Sequence, residues 1–91
     1  MKLQENKECF ICSGRIVDVH HVRLGNCSRK KAEKYNLLIY LCRPCHERLH
    51  RDERMKRYIQ RFAQKKLEEE MSHDEYMRIF KKNYLGDEYG I

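Results

Sequence analysis

Nowhere in the chain do eighteen apolar residues run together, so no helical membrane span is expected. The first eight residues, Met1 to Glu8, lack the apolar stretch that opens a secretory signal, and the expectation is a protein retained in the cytoplasm. Internal repeats and flexible linkers are also missing, and Pro44 is the one proline. That leaves a single domain spanning 1–91. Acidic charge is in deficit: 14 Asp and Glu stand against 20 Lys and Arg, a formal net charge of +6. A basic surface suits polyanions, with nucleic acid as the first choice of partner and no membrane role.

A chain of 91 residues is short for an autonomous core. Domains of this size bury only roughly 60–65% of their unfolded surface, so a staple is expected. The content is polar, with 37% charged residues and a mean hydropathy of −0.93, yet 41% hydrophobic residues are too many for a disordered chain.

The cysteines supply the staple. Four of the five form two Cys-x-x-Cys pairs, Cys9/Cys12 and Cys42/Cys45, while Cys27 stands alone as a free thiol. In a reducing compartment disulfides are disfavoured, and paired knuckles are a structural zinc signal because each presents two thiolates to one tetrahedral ion. The 29 residues between the knuckles are too many for a simple ribbon and must themselves fold. Arg15–Val19 is β-branched and reads as a strand, and Leu37–Leu41 reads as a second, better-buried strand. Between them lies a turn-rich basic stretch with Gly25, Asn26, Cys27 and Ser28 as its punctuation. A helix is expected to start near Pro44 or Cys45.

The second half, 51–91, reads as a helical extension of the 9–50 core. Met55, Tyr58, Ile59, Phe62, Ala63, Leu67 and Met71 recur at mostly three- and four-residue steps, an amphipathic stripe that either clads the core or serves a homodimer. Ser72 and Glu75 have the spacing of a capping box, which starts a last helix running to about Lys82.

Four of the five histidines flank the knuckled hairpin. His20 and His21 are adjacent, and His46 and His50 lie one helical turn apart, so that pair shares a face of the helix. A His pair at that spacing is most of a metal site. Adjacent strand residues point to opposite faces, so bringing His20 and His21 to one site predicts a bulge or bend there. His73 reads as a surface residue.

Asp18-Val19-His20-His21-Val22, a basic loop, and a strand entering Leu41-Cys42-Arg43-Pro44-Cys45-His46 with His50 one turn later together resemble the HNH endonucleases. The likeness covers residues 9–50. It extends to small phage and prophage members through Arg29–Tyr35 and Lys82–Leu85. The resemblance implies an α+β fold: a small ββα-metal (HNH/His-Me finger) core with the four-cysteine zinc knuckle pair and two C-terminal α-helices. It also implies metal-dependent hydrolysis of nucleic acid phosphodiesters, DNA first, in phage DNA processing or recombination inside a bacterial host.

Residue by residue, the resemblance makes His21 the general base and Asn36 the residue that orients it. His20, His46 and His50 become ligands of one catalytic divalent metal. Relatives with oxygen ligands suit Mg2+, whereas three imidazoles favour Mn2+, Ni2+ or Zn2+. Phosphate contacts are assigned to Arg29, Lys30, Lys31, Lys34 and Arg43, with Arg48, Arg51, Arg54 and Arg57 extending the track along the helix. The alternative is a non-catalytic zinc-stapled module that grips nucleic acid or a phage recombination protein.

Overall fold

The computed structural model describes residues 2–85, so the two ends of the 1–91 span lie outside the described residues. Its elements run β1 (Asp18–His21), α1 (Arg29–Lys34), β2 (Leu38–Leu41), α2 (Arg43–Leu49), α3 (Glu53–Leu67) and α4 (His73–Phe80). The result is a small α+β arrangement: one two-stranded antiparallel sheet, four helices and a four-cysteine cluster. Among the described residues no helix is long and apolar enough to cross a membrane.

The sheet register pairs Asp18 with Leu41, Val19 with Tyr40, His20 with Ile39 and His21 with Leu38. Directly opposed residues share a face, so His20 lies on the side of buried Ile39 and His21 on the other. No bulge interrupts the register, contrary to the sequence expectation. The strand also starts later than the β-branched run suggested. Ile16 is 91% exposed and outside it, because pairing with β2, not local β-propensity, selects which residues join the sheet.

The basic stretch before β2 is not a loop throughout. Ser28 Oγ accepts from the Lys31 amide at 3.1 Å and starts α1. At the other end Asn36 adopts a left-handed backbone, φ 58°. Its amide donates to the Glu33 carbonyl at 3.0 Å, and the Leu37 amide donates to the Ala32 carbonyl at 2.8 Å. This paired closure of a helix C-terminus favours Asn or Gly at the left-handed position, and it turns the chain directly into β2.

α2 starts at Arg43, with Cys42 as its N-cap and Pro44 in the first turn, one residue earlier than expected. Asp52 caps α3 by accepting from the Arg54 and Met55 amides, both at 3.1 Å. Ser72 caps α4 by accepting from the Glu75 amide at 3.1 Å, and that helix closes at Phe80 with left-handed Lys81 behind it.

One cluster collects Val22, Leu24, Leu37, Ile39, Leu41 and Leu49 from the hairpin and α2 with Ile59, Ala63 and Leu67 of α3 and Tyr76 and Phe80 of α4. Full burial of each large aliphatic side chain contributes on the order of 1.5–3 kcal/mol. Ile59, Ala63 and Leu67 of the α3 stripe are buried in this cluster, and Met55, Phe62 and Met71 pack against it, partly buried. Tyr58 departs from the stripe, lying 60% exposed. Gly25 sits where the hairpin meets α4: its φ is +62°, and a Cβ there would lie 2.2 Å from the Phe80 carbonyl oxygen. Backbone occupies that space, so only glycine fits.

Candidate metal centre and histidine cavity

The first knuckle is a tight loop tied to the sheet. The Cys9 amide donates to the Gly14 carbonyl at 2.7 Å, and the Phe10 amide donates to the Tyr40 carbonyl at 2.8 Å. The second knuckle is the junction of β2 with the first turn of α2. Docking one against the other brings the Sγ atoms of Cys9, Cys12, Cys42 and Cys45 all within 4.8 Å of one another, with Cys12 and Cys42 at 3.5 Å. Four sulfurs at ~2.3 Å from a tetrahedral zinc would stand about 3.8 Å apart, so the cluster already has the dimensions of a coordination shell. Cys27 is buried in the apolar core, apart from this group.

The thiols are also differentiated electrically. Burial raises the Cys9 thiol, but amide donation from Cys42, Cys12 and Ile11 outweighs it and brings the group down to about 6. Cys45 is pushed up to about 12 by desolvation and by sharing hydrogen bonds with the other three sulfurs. Cys12 receives a lowering contact from Gly14, yet its neighbours Cys42 and Cys9 move it upward on balance. Thiols packed this closely resist ionising beside one another, and a divalent cation relieves that repulsion by taking the place of their protons.

The histidines line a separate, open cavity of about 560 Å³ at the end of β1. His20, His21, His46 and His50 all contribute to its wall, with Arg23, Arg29 and Lys56 as its cations. His20 meets His46 edge-on with ring centroids 5.1 Å apart, and His46 stacks on His50 at 5.3 Å. His50 is the C-cap of α2 but keeps helical dihedrals, which is why the pair shares a face. His20 is pushed down to about 4, first by desolvation and then by the positive potential of His46, His50, His21 and Arg23. Its imidazole is therefore neutral near pH 7, with a lone pair available.

Although regular strand geometry sends His21 to the opposite face from His20, both reach the cavity. His21 is the last residue of β1, and the cavity wraps round that end. Its Nε2 lies 3.0 Å from Glu33 Oε1 and 3.5 Å from Arg29 Nε, both on α1. The two contacts need opposite states of Nε2, since Glu33 accepts a proton that Arg29 would require to be absent. The shorter contact favours Nε2–H directed at Glu33, leaving Nδ1 as the basic nitrogen.

The remaining sequence candidates scatter. Among the described residues the four cysteines are the one metal-sized set of three or more His, Cys, Asp or Glu ligand atoms; His20, His46 and His50 touch ring to ring but do not converge to that extent. Asn36 is not part of the cavity wall, and its backbone role is to close α1. Of the expected phosphate contacts, Arg29 lies on the wall and Lys30 is exposed on α1. Lys31 Nζ donates to the Ile79 carbonyl at 3.1 Å, Lys34 Nζ lies 5.6 Å from the Tyr35 ring centroid, and Arg43 reaches Asp18 at 3.9 Å. Arg48 pairs with Asp52 at 3.5 Å. His73 is exposed beside Glu68, as expected of a surface residue.

Sequence reasoning missed Glu33, Arg23 and Lys56. Glu33 is hidden because α1 is too short to show a helical period in the sequence; Arg23, two residues beyond His21, is the one discoverable by proximity.

Comparison with protein-family models, with curated proteins and with solved structures returned no match.

Proposed function

We propose that this chain is a metal-dependent endonuclease of the HNH type, hydrolysing nucleic acid phosphodiester bonds with DNA as the expected substrate. The observation that carries the reading is the gathering of His20, His21, His46 and His50 with Arg23, Arg29 and Lys56 on the wall of one open cavity. With the short helix α1 set into the connection of the hairpin, β1, β2 and α2 follow one another in the order that a ββα-metal core requires, which supports this reading. The four-thiolate cluster supports structural zinc.

In this reading the two sets of ligands do different work. Cys9, Cys12, Cys42 and Cys45 fasten the start of the hairpin to the start of α2, and so fix His46 and His50 relative to β1. His20, His46 and His50 offer three imidazole donors, a set suited to a borderline transition metal. A divalent ion held there would supply Lewis acidity to the scissile phosphate and its leaving oxygen. His21 takes the proton of the attacking water at Nδ1, while Glu33 holds the other proton at Nε2 and stabilises the imidazolium that results. Arg29, beside His21, and Arg23 and Lys56 on the same cavity wall bind phosphate oxygens and orient the backbone in the cleft. Phage DNA processing or recombination is the corresponding cellular setting.

The test is nicking of supercoiled plasmid by the purified protein, with Mg2+, Mn2+, Ni2+ and Zn2+ supplied separately. Wild-type cleavage that falls by at least about 100-fold in His21→Ala, with the fold intact, is the expected result. Binding of DNA without cleavage in any metal would transfer the reading to a zinc-stapled binding module.

A further inference from the structure

The basic residues of α3 do not form one track with the histidine cavity. Lys56, Ile59 and Gln60 face that cavity, whereas Arg54, Arg57, Tyr58, Arg61, Phe62 and Lys65 line a second groove of about 390 Å³. At 100° per residue the two sets are centred roughly 180° apart on the helix, so the groove lies on the far side of α3.

Its composition is specific. Four cations recur along one helix face, and the floor between them is aromatic. Tyr58 is 60% exposed, the one aromatic among the exposed large hydrophobics of the described residues. It is not loose: the Phe10 ring lies 6.4 Å from it and 5.1 Å from Phe62, both tilted. Phe10 belongs to the first cysteine knuckle, so the staple buttresses this floor from behind. Arg61 is anchored as well, its Nε donating to the Tyr84 carbonyl at 3.0 Å. An exposed, supported aromatic ring set among cations matches one ligand chemistry closely. Bases of an unpaired strand stack on the ring while their phosphates meet the flanking guanidinium and ammonium groups. A duplex offers the charge but hides its base faces, and an acidic peptide offers charge without planar rings.

We propose that this outer face of α3 is a binding surface for single-stranded nucleic acid, separate from the histidine cavity. It stands independently of cleavage: a protein that never nicks plasmid loses the proposed function and keeps this surface. If both hold, the substrate is one that carries an unpaired segment separated from the bond to be cut by at least the width of α3.

The test is fluorescence anisotropy of labelled oligothymidylate of about 20 nucleotides, without added divalent ions, using the intact chain. An RNA oligomer, a duplex of equal length and polyglutamate serve as competitors. Tyr58→Leu is expected to weaken oligothymidylate binding about tenfold. Arg57→Gln/Lys65→Gln is expected to reduce the slope of log affinity against log salt by about 1.4. Changing His46→Ala/His50→Ala is expected to leave affinity within about twofold. Relative displacement by RNA and DNA tells which single strand fits better. The proposal is overturned if wild type does not bind, if Tyr58→Leu binds as tightly as wild type, or if duplex or polyglutamate competes as well as single strands. Melting curves establish that each variant folds; should Tyr58→Leu fail, the charge pair reads the same surface through its salt slope.

Discussion

The four cysteines and the four histidines show two ways of building a site from similar sequence material. Both consist of short-spaced pairs, and both straddle the hairpin and α2. The cysteine group is converged, its sulfurs within one coordination shell and mutually perturbed. The histidine group is open, with rings in contact around a cavity of about 560 Å³. Closed four-ligand sites hold folds together, while three-ligand sites with free volume leave a position for substrate or water. Under the proposed function the contrast gives stability to one region and chemistry to the other, and each assignment has a consequence that the other lacks.

The largest consequence concerns folding. Cys42→Ser removes one of the four clustered thiols and the neighbour of Cys12, while serine still serves as N-cap of α2, so the loss falls on the cluster alone. Structural zinc in small domains carries an apparent binding free energy of ~10 kcal/mol or more, as large as the stability of a typical domain. Cys42→Ser, or a strong chelator acting on the native protein, is expected to abolish the cooperative melt seen by circular dichroism. His46→Ala/His50→Ala is expected to shift it by no more than about 2 kcal/mol, since His50 is exposed and His46 only half-buried. The reverse ranking would dissolve the division of labour.

How much of this was legible depended on which physical signal dominated locally. β2, α3 and the Ser72 cap were readable because a buried apolar run, a 3.6-residue period and a capping side chain are local signals. α1 was not, because six residues with Ala32 as their one buried side chain carry no period to detect. The start of β1 was misplaced because Ile16 and Val17 look like strand, while the sheet actually extends over polar His20 and His21. The expected bulge was unnecessary because His21 ends its strand, where a cavity reaches both faces. Gln64, fully buried, defied any hydropathy pattern; it is satisfied by Asn83, Glu68 and the Tyr84 amide, partners 4 to 20 residues away. The cysteine cluster was legible from spacing alone, whereas the contact of Glu33 with His21 required knowing that α1 is a helix.

A smaller effect separates the two regions by pH. His20 is held at about 4 against an ordinary value of 6.5, so between those values the unfolded chain binds a proton that the folded chain refuses. Stability from this group is complete above pH 6.5, declines as the pH falls, and is lost by about pH 4. With allowance for solvent screening at a partly exposed ring, the expected loss is about 1–2 kcal/mol. His20→Gln should flatten that segment of the stability–pH curve, measured by urea titration without added divalent ions. An unchanged slope in His20→Gln would mean that His20 does not carry the acid response and that other groups do.

The smallest effect asks whether the stapled region also touches substrate. Arg43 sits between Cys42 and Cys45, 80% exposed, and its guanidinium is 3.9 Å from the Asp18 carboxylate. A pair that long and that exposed contributes less than about 0.5 kcal/mol, so Arg43→Gln should leave the melt nearly unchanged. If the knuckle only staples, DNA binding should be equally indifferent. If Arg43 contacts a phosphate, the slope of log affinity against log salt should fall by about 0.9 for duplex, with no change in fold. That outcome would make the boundary between the two regions a matter of energy rather than of place: the same turn would fix the hairpin through its thiolates and guide the backbone through its guanidinium, and only the first of these would register in stability.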